Sequence, residues 1–469
     1  MMIATILIHI LGAFVILCFG RWRSVQRTLA VAIAAFTCLL SIVRLAQNLL
    51  GNTYNWHVPF IPGFDIFLRA DALSSFMAFV SSLVGALIVI YSIGYMKDDE
   101  HQSEYYYFVL LFIGSMMGLV YSCNLILMYV FWEMTAICSW RLIGHHRNEP
   151  QHLVNADKAF IITILGSACM LIGFELLFQK THTLNLTQLH GVVPTFGVAL
   201  LVIIGILGKS AQVPLQTWPP DAGVAPTPVT ALLHAAVLVK IGAFAFARIF
   251  LTALVLPPGF KEFFMVLILI GVIVTACAAL VENDMKRILA YSTISQIGLI
   301  LIGFALGNPF AVAGALFYIL AHGIAKAGLF LGVGVIDHYV KERDIRKLRG
   351  MAKLFPADGI GFFLCALSIM GIPPFGGFFA KVLIILGAFQ QHNILIALGI
   401  GLAAVLSILY MMRLWTTVFM GVPIDLKAGR KFDLMSLVVI VLGVLSLLSI
   451  GLLRYPIDMI ANITRQILR

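Results

Sequence analysis

Apolar residues along this chain neither alternate strictly nor keep to one narrow helical stripe. They come in long runs separated by short polar links. A helix needs roughly 20 predominantly apolar residues to cross the hydrocarbon of a bilayer. Fourteen segments approach or exceed that length, near 2–20, 28–50, 71–95, 105–122, 124–142, 158–178, 196–213, 226–252, 262–282, 286–306, 310–338, 356–390, 394–420 and 433–453. The twelfth is too long for one straight span and contains Gly371-Ile-Pro-Pro-Phe-Gly-Gly377, which must break a helix. The seventh is followed by Pro214 and then by Trp218-Pro219-Pro220-Asp221, which predicts a second break. The pattern predicts an all-α polytopic membrane protein of about fourteen transmembrane helices.

Composition agrees. Of the 469 residues 61% are hydrophobic and 11% charged, and the mean hydropathy is +1.02. A soluble domain carries about 25% charged residues, so a water-soluble enzyme, a nucleic-acid binder and a disordered chain are excluded. The net charge of +10 reads as topology rather than as a nucleic-acid partner. The loops 21–27, 97–104, 141–158, 286–287, 341–353 and 427–431 hold eighteen Lys and Arg, and the opposite loops with the C-terminal tail hold six. The richer set belongs in the cytoplasm, which puts both termini outside, in a bacterial or archaeal plasma membrane. The seven cysteines form no CxxC pair, so neither a disulfide framework nor a metal or iron–sulfur site is expected. No basic leader with a cleavage site is visible, and no removable signal peptide is expected.

Seven basic residues remain within or at the ends of apolar segments: Arg44, Lys209, Lys240, Arg248, Lys326, Lys381 and Arg413. Charge there is expensive and marks ion pathways. For the three arginines a structural or a snorkelling role is expected, since each can reach a headgroup. The lysines have company. Glu133 lies in the fifth segment, Lys209 in the seventh, and His234 and Lys240 in the eighth. His322 and Lys326 share a helix face at i, i+4, and Lys381 lies beyond the twelfth-segment break. A carboxylate stabilises an ammonium in a low-dielectric medium. Moving or neutralising that carboxylate therefore loads or unloads the lysine's proton, which is the physics of a proton relay without a redox cofactor. Pro219-Pro220 and Pro373-Pro374 lie five segments apart, as two inverted five-helix repeats (helices 4–8 and 9–13) would place them, with breaks in helices 7 and 12. This divides the chain into N-terminal helices 1–3 (1–104), a first repeat (105–252), a second repeat (262–420) and a C-terminal helix and tail (433–469).

The stretch Gly208–Ala236 (GKSAQVPLQTWPPDAGVAPTPVTALLHAA) resembles the signature of the antiporter-like subunits of complex I, of Mrp cation/proton antiporters and of energy-converting membrane hydrogenases. Phe131–Trp140 (FWEMTAICSW), Asn283–Gly298 (NDMKRILAYSTISQIG), Ala321–Gly334 (AHGIAKAGLFLGVG), Asp344–Pro356 (DIRKLRGMAKLFP) and Asp71–Ser74 (DALS) are similar to that family too. The resemblance implies fourteen helices with inverted repeats. It also implies a proton relay of Glu133, Lys209, His234, Lys240, His322, Lys326 and Lys381. Asp221, with Pro219, Pro220, Pro373 and Pro374, takes a structural or gating role, and Asp284, Lys286 and Arg287 bind neighbouring subunits at the cytoplasmic surface.

The chain departs from the family at Gln216-Thr-Trp-Pro-Pro220, where a His-Thr-Trp-Leu-Pro pattern is usual, so no proton-entry histidine carries over. The sixth segment, Thr163–Leu171 (TILGSACML), lacks the Arg and Asp of the distal complex I subunit, and the long lateral helix of that subunit has no counterpart. With the Val-Leu-Val-Lys240-Ile-Gly context, this places the chain nearest in character to the middle complex I subunit, the Mrp D-type subunit or the hydrogenase homologues.

The expected function is a proton-translocating subunit of a complex I-like membrane complex, with other membrane subunits, protons and the bilayer as partners and no cofactor of its own. The alternatives are an Mrp-type Na+/H+ antiporter subunit, a stand-alone secondary carrier and a structural subunit.

Overall fold

The computed structural model describes residues 1–20, 22–61, 64–236, 238–423, 432–449 and 454–468, with side chains at 61, 64 and 454–457 set aside. The basic loop 427–431, Arg21, Arg469 and the end of the fourteenth segment at 450–453 lie outside the described residues, as does the side chain of Arg454.

The helices follow the apolar runs. α1 (Met2–Cys18), α2 (Arg23–Leu49), α3 (Ala72–Tyr95), α4 (Gln102–Tyr121), α5 (Leu125–Ile143) and α6 (Pro150–Thr181) match the first six segments. α7 (Phe196–Ser210) is followed by a short helix, Trp218–Asp221. α8 (Thr227–Leu251), α9 (Phe260–Val281), α10 (Met285–Leu306) and α11 (Pro309–Val340) come next. The twelfth segment is two helices, α12 (Pro356–Met370) and α13 (Gly376–Gln390), before α14 (Ile394–Phe419), α15 (Leu434–Leu448) and α16 (Arg454–Ile467). Among the described residues ten helices are long and apolar enough to cross a membrane, and the chain is an integral, multi-pass membrane protein. α8, α10 and α11 are buried over nearly their whole length inside the protein, and lipid-facing residues such as Leu165 and Leu398 lie on outer helices.

Starts and stops have local causes. Asp71 opens α3 with a capping box shared with Ser74, and Asn124, Thr195, Asp284 and Asn308 accept backbone N–H groups at the starts of α5, α7, α10 and α11. Pro373 and Pro374 sit in the gap between α12 and α13. Pro219 and Pro220 behave differently from the expected break. They occupy the first turn of the short helix, where a missing N–H costs nothing, and the chain leaves helical geometry earlier, after Ser210.

Two elements were not foreseen. β1 (Tyr54–Ile61) and β2 (Phe64–Ala70) form an antiparallel hairpin, with Tyr54 opposite Ala70 and Trp56 opposite Leu68. α16, read from sequence as a tail, is a helix that buries Ile460, Ile463 and Ile467 and donates from Asn462 to the Leu49 carbonyl at 3.1 Å.

The loops sort into two faces. Arg27 donates to the Lys97 carbonyl at 2.8 Å, His145 bonds Asp99 at 3.0 Å, Arg287 pairs with Asp221 at 2.7 Å and Arg343 with Asp284 at 3.3 Å. These contacts join the described basic loops on one face. On the other face Cys123 N–H meets the Phe67 carbonyl at 2.8 Å, Gly191 N–H meets Ala253 at 2.9 Å, and Lys261 meets Leu306 at 3.0 Å.

The α12–α13 break depends on close backbone approach. A Cβ at Gly377 would lie 1.8 Å from the Ser368 carbonyl oxygen, and backbone cannot yield as a side-chain tip can. Gly377→Ala is expected to destabilise the fold by about 1–3 kcal/mol, measured as lower membrane yield and earlier thermal aggregation in detergent.

Candidate functional site

Lys209 stands in the last turn of α7, fully buried. Its ammonium donates to the Trp132 carbonyl on α5 at 3.0 Å and lies 5.5 Å from the centre of the Trp132 ring. The helix C-terminus adds negative potential there. Glu133, next on α5, interacts electrostatically with Lys209, yet no ion pair within 4.0 Å joins them among the described residues. Glu133 Oε1 is buried with no hydrogen-bond partner.

α8 is not a regular helix. Leu232–Ala236 and Ala247–Leu251 are π-helical stretches, and such bulges free carbonyls from the usual ladder. Lys240 donates to one of them, at Ala235. Gly323 on α11 keeps room for it, because a Cβ there would sit 3.0 Å from the Lys240 nitrogen. His234, within the first bulge, stacks on Phe330 of α11 at 4.9 Å between ring centres.

On α11, Lys326 donates to the Leu289 carbonyl of α10 at 3.0 Å and to the Ser292 hydroxyl. His322, one turn earlier, interacts electrostatically with Lys240, Lys326, His234 and Lys381, so it lies among them. Both ring nitrogens of His322 are buried without a hydrogen-bond partner among the described residues, and the buried His234 ring lies by the Pro219 backbone. Lys381 reaches back across the helix break. It donates to the Ile369 carbonyl at 2.7 Å, the Met370 carbonyl at 3.4 Å and the Ser407 hydroxyl at 2.9 Å. The two carbonyls are orphans at the C-terminus of α12.

One rule covers all four lysines. Each buried ammonium rests on main-chain carbonyls, and those at Ala235, Ile369 and Met370 sit at a bulge or a helix end. Carbonyls solvate a cation without fixing it as a carboxylate would. Two buried imidazoles therefore lie close to these lysines, each able to take up or give a proton.

Other charged residues turn out to be structural. Asp221 accepts from Lys158 at 2.6 Å and Arg287 at 2.7 Å, and Asn155 donates to its carbonyl at 3.0 Å. Burial raises its carboxyl, but the hydrogen bonds from Lys158 and Arg287 outweigh that and hold it below the ordinary carboxylate range. Lys286 is buried against Asp337 at 3.1 Å, and Arg287 also pairs with Glu282 at 2.9 Å. Lys286 therefore faces inward rather than towards neighbouring subunits, whereas Arg287 is part exposed while it holds its two carboxylates. Of the two readings of the arginines, structural or snorkelling, the contacts are those of the structural one. Arg248 forms a two-bond pair with Asp71 at 2.6 and 2.7 Å, Arg44 donates to the Ala70 carbonyl at 3.2 Å, and Arg413 donates to the Glu282 carbonyl at 2.6 Å.

Residues 122–407, which include all seven relay candidates, match the family model described as NADH:quinone oxidoreductase/Mrp antiporter, TM. The chain belongs to this family. Residues 63–106 match a second model, NADH-Ubiquinone oxidoreductase (complex I), chain 5 N-terminus. The Na(+)/H(+) antiporter subunit A1 of Staphylococcus haemolyticus is 35% identical over 382 residues, 75% of this chain and 46% of that one. The NAD(P)H-quinone oxidoreductase subunit 5 of the Paulinella chromatophora organellar chromatophore is 32% identical over 456 residues, 88% of this chain and 67% of that one. The chain thus spans about half the length of the A-type relative. A chain in the structure of the Mrp complex from Dietzia sp. DQ12-45-1b shares the fold, with a TM-score of 0.89, 24% identity, and 99% and 97% of the two chains covered. These relatives are of the A and subunit 5 types, whereas the Lys240 context had pointed to the D-type and middle subunits.

Within this antiporter-type fold the structure adds residues that a search for charge passed over. Tyr318 donates to Gln296, and Gln296 donates to the Tyr410 hydroxyl at 3.0 Å. The Tyr318 ring centre is 5.9 Å from the Lys381 nitrogen. Ser292 and Ser407 complete the lysine contacts. The available signal was the i, i+4 spacing of Ser292 and Gln296 inside an apolar helix, where uncharged polar groups also need partners.

Proposed function

We propose that this chain is a proton-translocating, antiporter-type subunit of a multi-subunit membrane complex, lodged in a plasma membrane with its basic-loop face in the cytoplasm and both termini outside. A proton from that face reaches Lys209 beside the end of α7. It passes by way of His234, Lys240, His322 and Lys326, stops at Lys381 and leaves past the α12–α13 break to the other side. The charge of Glu133, set by the adjacent subunit, drives Lys209 between its loaded and unloaded states. The fourteen segments act as spans, and the stretches 105–252 and 262–420 act as the two inverted repeats.

The observation that carries this reading is the buried series of ammonium groups held by carbonyls, with buried imidazoles among them. A structural ion-pair network would show matched carboxylates instead, as Arg248 and Asp71 do. The same series suits a Na+/H+ exchange subunit, a reading favoured by the A-type relative. No redox group is assigned to this chain, so any redox step belongs to partner subunits.

Proton and sodium flux in proteoliposomes carrying the assembled complex, with Lys209→Ala and Lys381→Ala made separately, tests the proposal. Each variant is expected to lose at least about nine-tenths of the flux. Unchanged flux in both would make the chain a scaffold, and loss of sodium flux with proton flux would identify exchange.

A further inference from the structure

On the basic-loop face, away from the relay, the loop after α3 and the loop after α5 bring three metal-ligating side chains together. Asp99, His145 and His146 each offer one ligand atom, and these atoms all lie within 4.8 Å of one another. His145 Nε2 stands 3.0 and 3.1 Å from the two Asp99 oxygens. Two ligands of one tetrahedral ion with bonds near 2.0–2.1 Å are separated by about 3.3 Å. We propose that Asp99, His145 and His146 form a binding site for one divalent transition-metal ion of the zinc class, which ties these two loops together.

Two features support the site. Residues 145 and 146 lie outside helix, so adjacent imidazoles can turn to one point, and their ring centres are 5.1 Å apart. Asp99 Oδ1 also accepts the His101 backbone N–H at 2.8 Å, which orients the carboxylate as outer-shell partners of metal ligands do. Asp98 and Glu100 flank Asp99 in sequence, and the nearby Arg141 and Arg147 share the one carboxylate of Glu104 at 2.5 Å. His152, whose ring centre is 5.9 Å from that of His146, is held by Glu149 at 3.1 Å.

Two imidazoles and one carboxylate select zinc-class ions over calcium or magnesium, which take oxygen ligands. Sequence scanning for cysteine pairs expected no metal, because these three ligands come from two loops that only the fold brings together. An ion here would hold the C-terminal end of α5, the helix that carries Glu133.

The test is Zn2+ titration of the full chain, purified in detergent with its complex, by competition against a chromophoric chelator. The variants are His146→Gln, Asp99→Asn and, as a distant control, His392→Gln. His146 is exposed and its side chain makes no hydrogen bond among the described residues, so its replacement is expected to leave the fold intact, checked by elution profile. The parent and the control are expected to bind one Zn2+ more tightly than the other two variants, by a factor of about 100 or more in each. Equal binding by His146→Gln and the parent, or loss of binding in His392→Gln, would overturn the site.

Discussion

A complex carrying Glu133→Gln is expected to assemble normally and to translocate protons about thirtyfold more slowly than the parent. Glutamine has the shape of glutamate and keeps an oxygen that can accept the Tyr129 hydroxyl, so the fold has little to register. The charge is another matter. A unit charge 4 Å from another is worth about 4 kcal/mol at an effective dielectric of 20. Glu133 and Lys209 interact beyond ion-pair distance, so roughly half of that is at stake. About 2 kcal/mol corresponds to a factor of about 30. Lys209 would remain seated on the Trp132 carbonyl with nothing to drive its proton on and off. Initial flux rates in sealed vesicles, normalised to assembled complex, measure the effect, and a rate within twofold of the parent would remove Glu133 from the mechanism.

The spans and the candidate lysines were legible because both rest on one-dimensional signals. An apolar run records the solvent around it, and a charge inside that run is conspicuous. Glu133, Lys209 and Lys381 could be singled out on this basis alone. What could not be read was partnership. Arg248 and Lys209 look alike in sequence, each a lone cation in an apolar segment. Only the fold shows that Arg248 has a carboxylate 177 residues away, whereas Lys209 has a carbonyl.

The π stretches of α8 left no trace, since a bulge costs one hydrogen bond and changes no residue type. The hairpin was passed over for a different reason. Its aromatic and β-branched residues around Pro62-Gly63 do carry a strand-and-turn signal, but a short extended segment is inconspicuous beside runs of twenty apolar residues. α16 escaped because its apolar face is too narrow for a span, although its spacing suits a helix lying along the protein.

The largest effect on stability is expected at Asp71. This carboxylate closes the start of α3 and takes both terminal nitrogens of Arg248, a residue 5% exposed on α8. Asp71→Asn preserves the helix cap, because asparagine accepts the same backbone N–H, and it removes only the countercharge. Arg248 would then be a buried cation with Arg69 as a close basic neighbour. Breaking a buried pair from one side costs about 3–5 kcal/mol, enough to empty the folded state of many domains. Asp71→Asn is therefore expected to be recovered from membranes at a small fraction of the parent level and to aggregate at lower temperature in detergent. Asp71→Asn with Arg248→Met removes the stranded charge as well, and most of the loss is expected to return. If the single variant were as stable as the parent, the pair would contribute nothing. If the double variant were no better than the single one, the cap rather than the charge would be what Asp71 supplies. The relay makes the opposite prediction for itself. Among the described residues Lys209, Lys240, Lys326 and Lys381 pair with no carboxylate within 4.0 Å, so neutral replacements there are expected to spare the fold and to remove the flux.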